Sequence, residues 1–181
     1  MATQRHSIAA IALALACSLA AAGCTPSAEP TPTATATAFR SDDEAFAAAE
    51  ATYRAYVDAL NKVSFADPRT FEAVYDWTGD PLRRADRTSF ENSHKAELDI
   101  KGEFRIVSTS RRSIARDTGV VILDACLDIS QTTVVDSAGL PQTNVNRVPV
   151  VALRLTLQPT GMTPTRLRLT DTQPREDGPS C

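Results

Sequence analysis

Few side chains in this sequence are of types that do chemistry. Asp124, Cys126 and Asp128 alternate along VVILDACLDIS (residues 120–130), so on a strand they share one face. Two carboxylates and a sulfur suggest a metal site. At about 3.3 Å per residue, however, the aspartates stand roughly 13 Å apart, too far to chelate one ion, and solvated strand carboxylates are expected instead. His94 is the one histidine left once an N-terminal signal is removed, so no histidine-based metal site or Ser-His-Asp triad with a spare ligand can be assembled. No metal and no cofactor is expected, and no catalytic residue is assigned.

The remaining polar candidates are aromatic or basic. Tyr53, Tyr56, Tyr75, Trp77 and His94 are the helix residues that could line a pocket with polar atoms; the alternative is a core whose tyrosines keep their hydroxyls at its rim. Arg154, Arg166 and Arg168 are expected on the outward face of neighbouring strands, and Arg111, Arg112 and Arg116 near a hairpin. Such arginines could face anionic lipid or a wall polymer, or be a solvated face balanced by Asp124 and Asp128.

Everything that positions these residues lies beyond a leader. Arg5 precedes an apolar run over residues 8–22, followed by Gly23-Cys24, the pattern of a secretory signal in residues 1–23. Ala21-Ala22-Gly23-Cys24 is similar to the lipobox of bacterial lipoproteins, in which the cysteine becomes the acylated N-terminus; the family prefers Leu where Ala21 stands. Ordinary cleavage after Ala20-Ala21-Ala22 is the competing reading. Cysteine parity favours lipidation at Cys24: Cys17 leaves with the signal and Cys126 and Cys181 remain as an even pair, suited to an oxidising compartment. The protein is therefore expected at the outer face of the cell membrane, held there by its lipid. Losing Arg5 takes the formal net charge from −3 to −4. That mildly acidic balance argues against a nucleic-acid partner, as do aromatics confined to residues 39–104, which leave later strands without a stacking platform.

Residues 25–38, TPSAEPTPTATATA, have no apolar period, so residues 24–40 read as a disordered Thr/Pro/Ala tether. Residues 41–181 are the size of one domain. Ser41 and Glu44 form a capping box, and Phe46, Ala49, Tyr53, Tyr56, Val57, Leu60 and Val63 recur at three and four residues, predicting a long helix. Asp67-Pro68 and Asp80-Pro81 each open a shorter helix, the first ending at Gly79 and the second near Leu98, with a stripe of Leu82, Ala85, Phe90, His94 and Leu98. From Gly102 the period becomes two, with strands predicted from Phe104, at 120–130, 132–136, 147–158 and 166–170. Helices followed by antiparallel strands predict an α+β fold, N-terminal helices packed on a curved antiparallel sheet. The tail from Thr172 has no apolar stripe, yet ends on Cys181, and Cys126 lies on the non-core face of its strand. A disulfide between them is expected, closing a loop of about 55 residues; the alternative is a buried free thiol at Cys126 with Cys181 pairing between molecules.

One amphipathic helix, two shorter ones and a strand meander, with the segments AYVDALNKV, DPRTFEAVYDWT, ILDACLDIS and GPSC, resemble lipid-anchored NTF2-like (SnoaL-like, cystatin-like superfamily) proteins of high-GC Gram-positive bacteria. The resemblance implies the NTF2-like cone. It leaves activity open, since that fold carries isomerases, dehydratases, cyclases and many binders. Three functions are compatible with it: a lipid-anchored module binding a small ligand or an envelope protein, a small-molecule isomerase or lyase using the helix tyrosines and His94, and a structural envelope lipoprotein.

Overall fold

The computed structural model describes residues 39–144, 146–178 and 181. Cys24, the signal and nearly all of the tether lie outside them. Helix α1 (Asp42–Leu60) starts where the capping box places it: Ser41 Oγ accepts from Glu44 N at 3.1 Å, and Glu44 in turn accepts from Arg40 N at 2.8 Å. Phe39 and Arg40, assigned above to the tether, are part of this cap, and Phe39 is packed against the core. Three acids in the first turn suit the positive end of the helix dipole. Ala45, Ala49, Tyr53, Tyr56 and Val57 form the buried stripe.

The two following helices are shorter than expected. Asp67-Pro68 opens only a 3₁₀ turn (Pro68–Thr70), after which α2 (Glu72–Tyr75) makes one turn. Asp80-Pro81 is a cis peptide, and α3 (Leu82–Lys95) begins beyond it. Of the expected α3 stripe only Phe90 is buried, while Ala85 and His94 are exposed. The ring of Phe90 lies 5.2 Å from that of Phe71 and 5.8 Å from that of Phe65, so a single aromatic side chain anchors most of this helix.

Strands β2 (Arg105–Ala115), β3 (Val120–Asp128), β5 (Val150–Pro159) and β6 (Leu167–Pro174) form one antiparallel sheet in the order β2-β3-β5-β6. Two three-residue strands, β1 (Asp99–Lys101) and β4 (Thr133–Val135), pair in a separate ladder. Val121, Leu123, Ala125 and Leu127 of β3, with Leu155, Leu157, Leu167 and Leu169, make the sheet's core face against α1. The far edge of β6 is closed by the chain leaving α2, because Thr78 bridges Leu169 and Gly79 N donates to Leu169 O. Gly102, at φ +83°, carries the chain from β1 toward β2; a Cβ there would fall 1.8 Å from Gln131 O.

The opposite face of β3 corrects the expectation of solvated carboxylates. Asp124 is 3% exposed and Asp128 8%. The C-terminal segment covers this face: Arg175 N donates to Ala152 O at 3.0 Å, Asp177 meets Arg112 and Arg154, and Cys181 is disulfide-bonded to Cys126. Burial beneath the tail obliges Asp124 to find partners, and it has Arg154 Nε at 3.0 Å and Arg112 at 3.8 Å.

Candidate functional site

Of the tyrosines expected to line a pocket, Tyr53 and Tyr56 are gathered inside the helical layer, while the Tyr75 ring also borders surface grooves, one of them with Trp77 and a smaller one with His94. Tyr53 and Tyr56, three residues apart on α1, have their rings 6.4 Å from one another, and Tyr56 reaches Asp86 of α3. Tyr75 comes from α2, with the Phe90 ring 6.1 Å away. Their depth differs from the rim placement weighed above: Tyr53 is 1% exposed and Tyr75 5%, and both hydroxyls are buried without a hydrogen-bond partner among the described residues.

Asp86, one turn before Phe90 on α3, completes the cluster. The Tyr56 hydroxyl donates to its carboxylate, whose Oδ2 is buried without a partner. Burial pushes Asp86 up to about 6, with the Tyr56 hydrogen bond opposing the rise. Burial likewise drives Tyr53 and Tyr56 above the ordinary phenol range, and the Asp86 charge adds to the effect on Tyr56. Tyr75 is raised by burial against the opposing charge of Arg87, whose guanidinium stacks 4.6 Å from the ring centroid. Sequence reasoning missed Asp86 because α3 is mostly charged and Asp86 reads as another solvated residue; its spacing of four from Phe90 was the only local signal.

Trp77 and His94 do not join that cluster. Trp77 is half-buried and borders an open groove of about 450 Å³ with Tyr75, Arg83, Arg87 and Met162. His94 is exposed at the lip of a groove of about 510 Å³ between the C-terminal end of α3 and the β1–β4 ladder. Phe65, Ala66, Leu98 and Val135 give that groove an apolar lining, and Glu97, Asp99, Lys101 and Asp136 surround it with charge. His94 Nδ1 lies 2.6 Å from Phe65 O. A carbonyl can only accept, so Nδ1 carries the proton and Nε2 is left as the other ring atom to meet a ligand.

The three arginines expected to form one outward stripe lie in three different places. Arg154 bridges Asp124 and Asp177 beneath the tail. Arg166 precedes β6 at φ +62°, pairs with Glu44 at 2.6 Å and stacks 4.6 Å over the Phe39 ring. Arg168 packs beside Gly79, where an added Cβ would lie 2.6 Å from its Nε. Arg154 faces Gln173 while Arg168 faces Gln158, four residues further along β5, so on the same face they stand about 13 Å apart along the strand. Among the described residues no group of three or more His, Cys, Asp or Glu could hold a metal ion.

Helices leading into an antiparallel sheet that they cover on one face define the class: this is an α+β domain with the architecture of the NTF2-like cone. No family model matches the chain, and no curated protein matches it. Among solved structures it is similar to the intermembrane space region of the chloroplast protein ARC6, with a TM-score of 0.52 and 12% identity over 70% of this chain and 92% of that one. It also matches the VirB8 protein of Agrobacterium tumefaciens (TM-score 0.42, 11% identity, 76% and 96% covered) and a periplasmic fragment of TraM (0.40, 9%, 74% and 96%). These are likenesses of fold. Among the described residues no helix is long and apolar enough to cross a membrane.

Proposed function

We propose that this protein is an extracytoplasmic interaction module, tethered to the outer face of the membrane by acylated Cys24 and a Thr/Pro stem. One observation carries the choice of interaction over chemistry. Tyr53 and Tyr56 are buried and Tyr56 is spent on Asp86, whereas concavities of about 510 and 450 Å³ open on the surface around His94 and, with Tyr75 on its border, around Trp77. A signal-like N-terminus and a disulfide between Cys126 and Cys181 support the compartment.

The test is crosslinking in intact cells followed by purification from the membrane fraction. A defined envelope protein recovered in fixed proportion is expected. Recovery of the monomer alone, at every crosslinker length tried, would defeat the reading. A second reading, acid–base chemistry at Asp86, draws on its contact with Tyr56 and its raised pKa. It requires α3 to move aside for a substrate, and would be favoured if a small molecule protected α1 and α3 amides from hydrogen exchange.

A further inference from the structure

We propose that the groove between α3 and the β1–β4 ladder binds a short extended peptide carrying a lysine or arginine beside an apolar side chain. The proposal rests on the interaction reading above and gives that interaction a place and a chemistry.

Shape and lining come first. A space of about 510 Å³ is within the range of roughly 300–1,000 Å³ typical of ligand pockets, and it is open enough to admit a chain rather than only a small molecule. Its apolar surface comes from Phe65, Ala66, Leu98 and Val135, so an apolar side chain gains by entering.

Charge selects the occupant. Three carboxylates border the groove against one lysine. Asp99 is already engaged, with Lys101 at 2.6 Å and with donors from Ser64, Phe65 and Ile100. Asp136 is engaged too, accepting from Ala138 N, Leu140 N and Gln142 Nε2. Glu97 N donates to His94 O at 3.0 Å, but the Glu97 carboxylate has no hydrogen bond or ion pair among the described residues. It sits just past the end of α3, where the carbonyl end of the helix dipole adds negative potential. The excess charge is therefore negative, and the carboxylate with capacity to spare is Glu97. A cation seated there leaves the neighbouring side chain to cover the apolar lining, while His94 Nε2 can accept from a peptide N–H.

The backbone is consistent with a side chain kept for use. Glu97 has φ +53°, the left-handed conformation that glycine adopts at helix ends without penalty. The chain's own stem does not fit the groove, since TPSAEPTPTATATA carries one acid and no base.

Fluorescence anisotropy on the full acylated chain in detergent tests this, using dye-labelled Gly-Leu-Arg-Val-Gly and its Gly-Leu-Glu-Val-Gly counterpart as probes. The arginine peptide should bind saturably and the glutamate peptide should not. Glu97→Gln should weaken binding about threefold to fivefold, as loss of one exposed ion pair allows. Glu97→Gly should weaken it equally while raising the melting temperature, which separates lost recognition from lost folding. Equal binding of the two peptides, unchanged binding by Glu97→Gln, or no binding of the arginine peptide would each overturn the proposal. So would a dimer abolished by Glu97→Gln, which would make a second copy the occupant. If a cellular partner is crosslinked equally well by Glu97→Gln, the groove fails while the interaction reading survives; peptide binding without any cellular partner does the reverse.

Discussion

Replacing Asp86 by Asn should stabilise the domain at neutral pH and remove a fall in stability that the wild-type chain suffers between about pH 4 and pH 6. The folded state raises the Asp86 pKa from the ordinary carboxylate range to about 6, so within that window the native protein holds a proton that the unfolded chain has released. Stability from this group is fully present below about pH 4 and is lost as the pH rises to about 6, after which the penalty stays constant. Raising the carboxyl from its ordinary range to about 6 corresponds to roughly 3 kcal/mol, and halving that for the partly exposed group leaves about 1.5 kcal/mol. Asn keeps an oxygen to accept from the Tyr56 hydroxyl, is neutral at every pH in the window, and changes the side-chain volume little. For a domain of this size the gain should appear as a rise of about 5 °C in melting temperature at pH 7.5 and almost none at pH 4. Urea titrations of both proteins across this range measure it, and the difference between them cancels the other carboxylates. A difference that does not vary with pH, or a variant less stable at pH 7.5, would refute the assignment of a desolvated carboxyl at Asp86.

Other perturbations probe other parts of the molecule. Changing Cys126 and Cys181 together to Ser should cost up to about 4 kcal/mol for a loop of 55 residues, with reductant having no further effect on the melting temperature of the variant. Gly102→Ala should destabilise by more than about 1 kcal/mol, because the position combines positive φ with a Cβ driven into Gln131 O; an unchanged urea midpoint would contradict this. Arg154→Gln should lower the melting temperature clearly more than Arg166→Gln, since among the described residues it leaves the buried Asp124 with Arg112 at 3.8 Å as its remaining ion-pair partner, and equal melting curves would show that the tail does not bury Asp124 in solution. Intact-mass measurement on a membrane fraction should find a mature chain beginning at acylated Cys24; a lipid-free chain would remove the anchor.

How far the sequence could be read depended on the range of the forces involved. Helix α1 was legible from its own residues, because Ser41 and Glu44 cap it locally and seven apolar positions repeat at helical spacing. The core face of β3 was legible for the same reason, since Val121, Leu123, Ala125 and Leu127 alternate without interruption. Parity and the non-core position of Cys126 pointed to its bond with Cys181. The strand β1 went unnoticed because Asp99-Ile100-Lys101 offers a single apolar residue between two charges, whereas the equally short β4, with Val134 and Val135, fell inside the strand expected at 132–136. Burial of Asp124 depends on a tail that returns from some fifty residues away. The arginine stripe failed because alternation was extended through Arg166, which lies in a left-handed turn before the strand, and because the pairing register sets Arg168 opposite Gln158, four residues along β5 from Arg154. Asp86 is buried by α1, an element more than twenty residues earlier in the chain, and nothing beside it in the sequence announces that.

The bond between Cys126 and Cys181 also makes a covalent ring from part of the fold. Inside that ring lie the end of β3, all of β4, β5 and β6, and the segment between β4 and β5, where Leu140 and Val148 are both more than half exposed. That segment is the natural place for a protease to cut. A single cut there opens the ring without releasing a fragment, because both new ends remain joined through sulfur, and β5 and β6 keep their places in the ladder with β3. On a non-reducing gel the nicked and intact chains would run at nearly the same mass, and only reduction would separate them. Such a domain can lose a peptide bond without losing a strand.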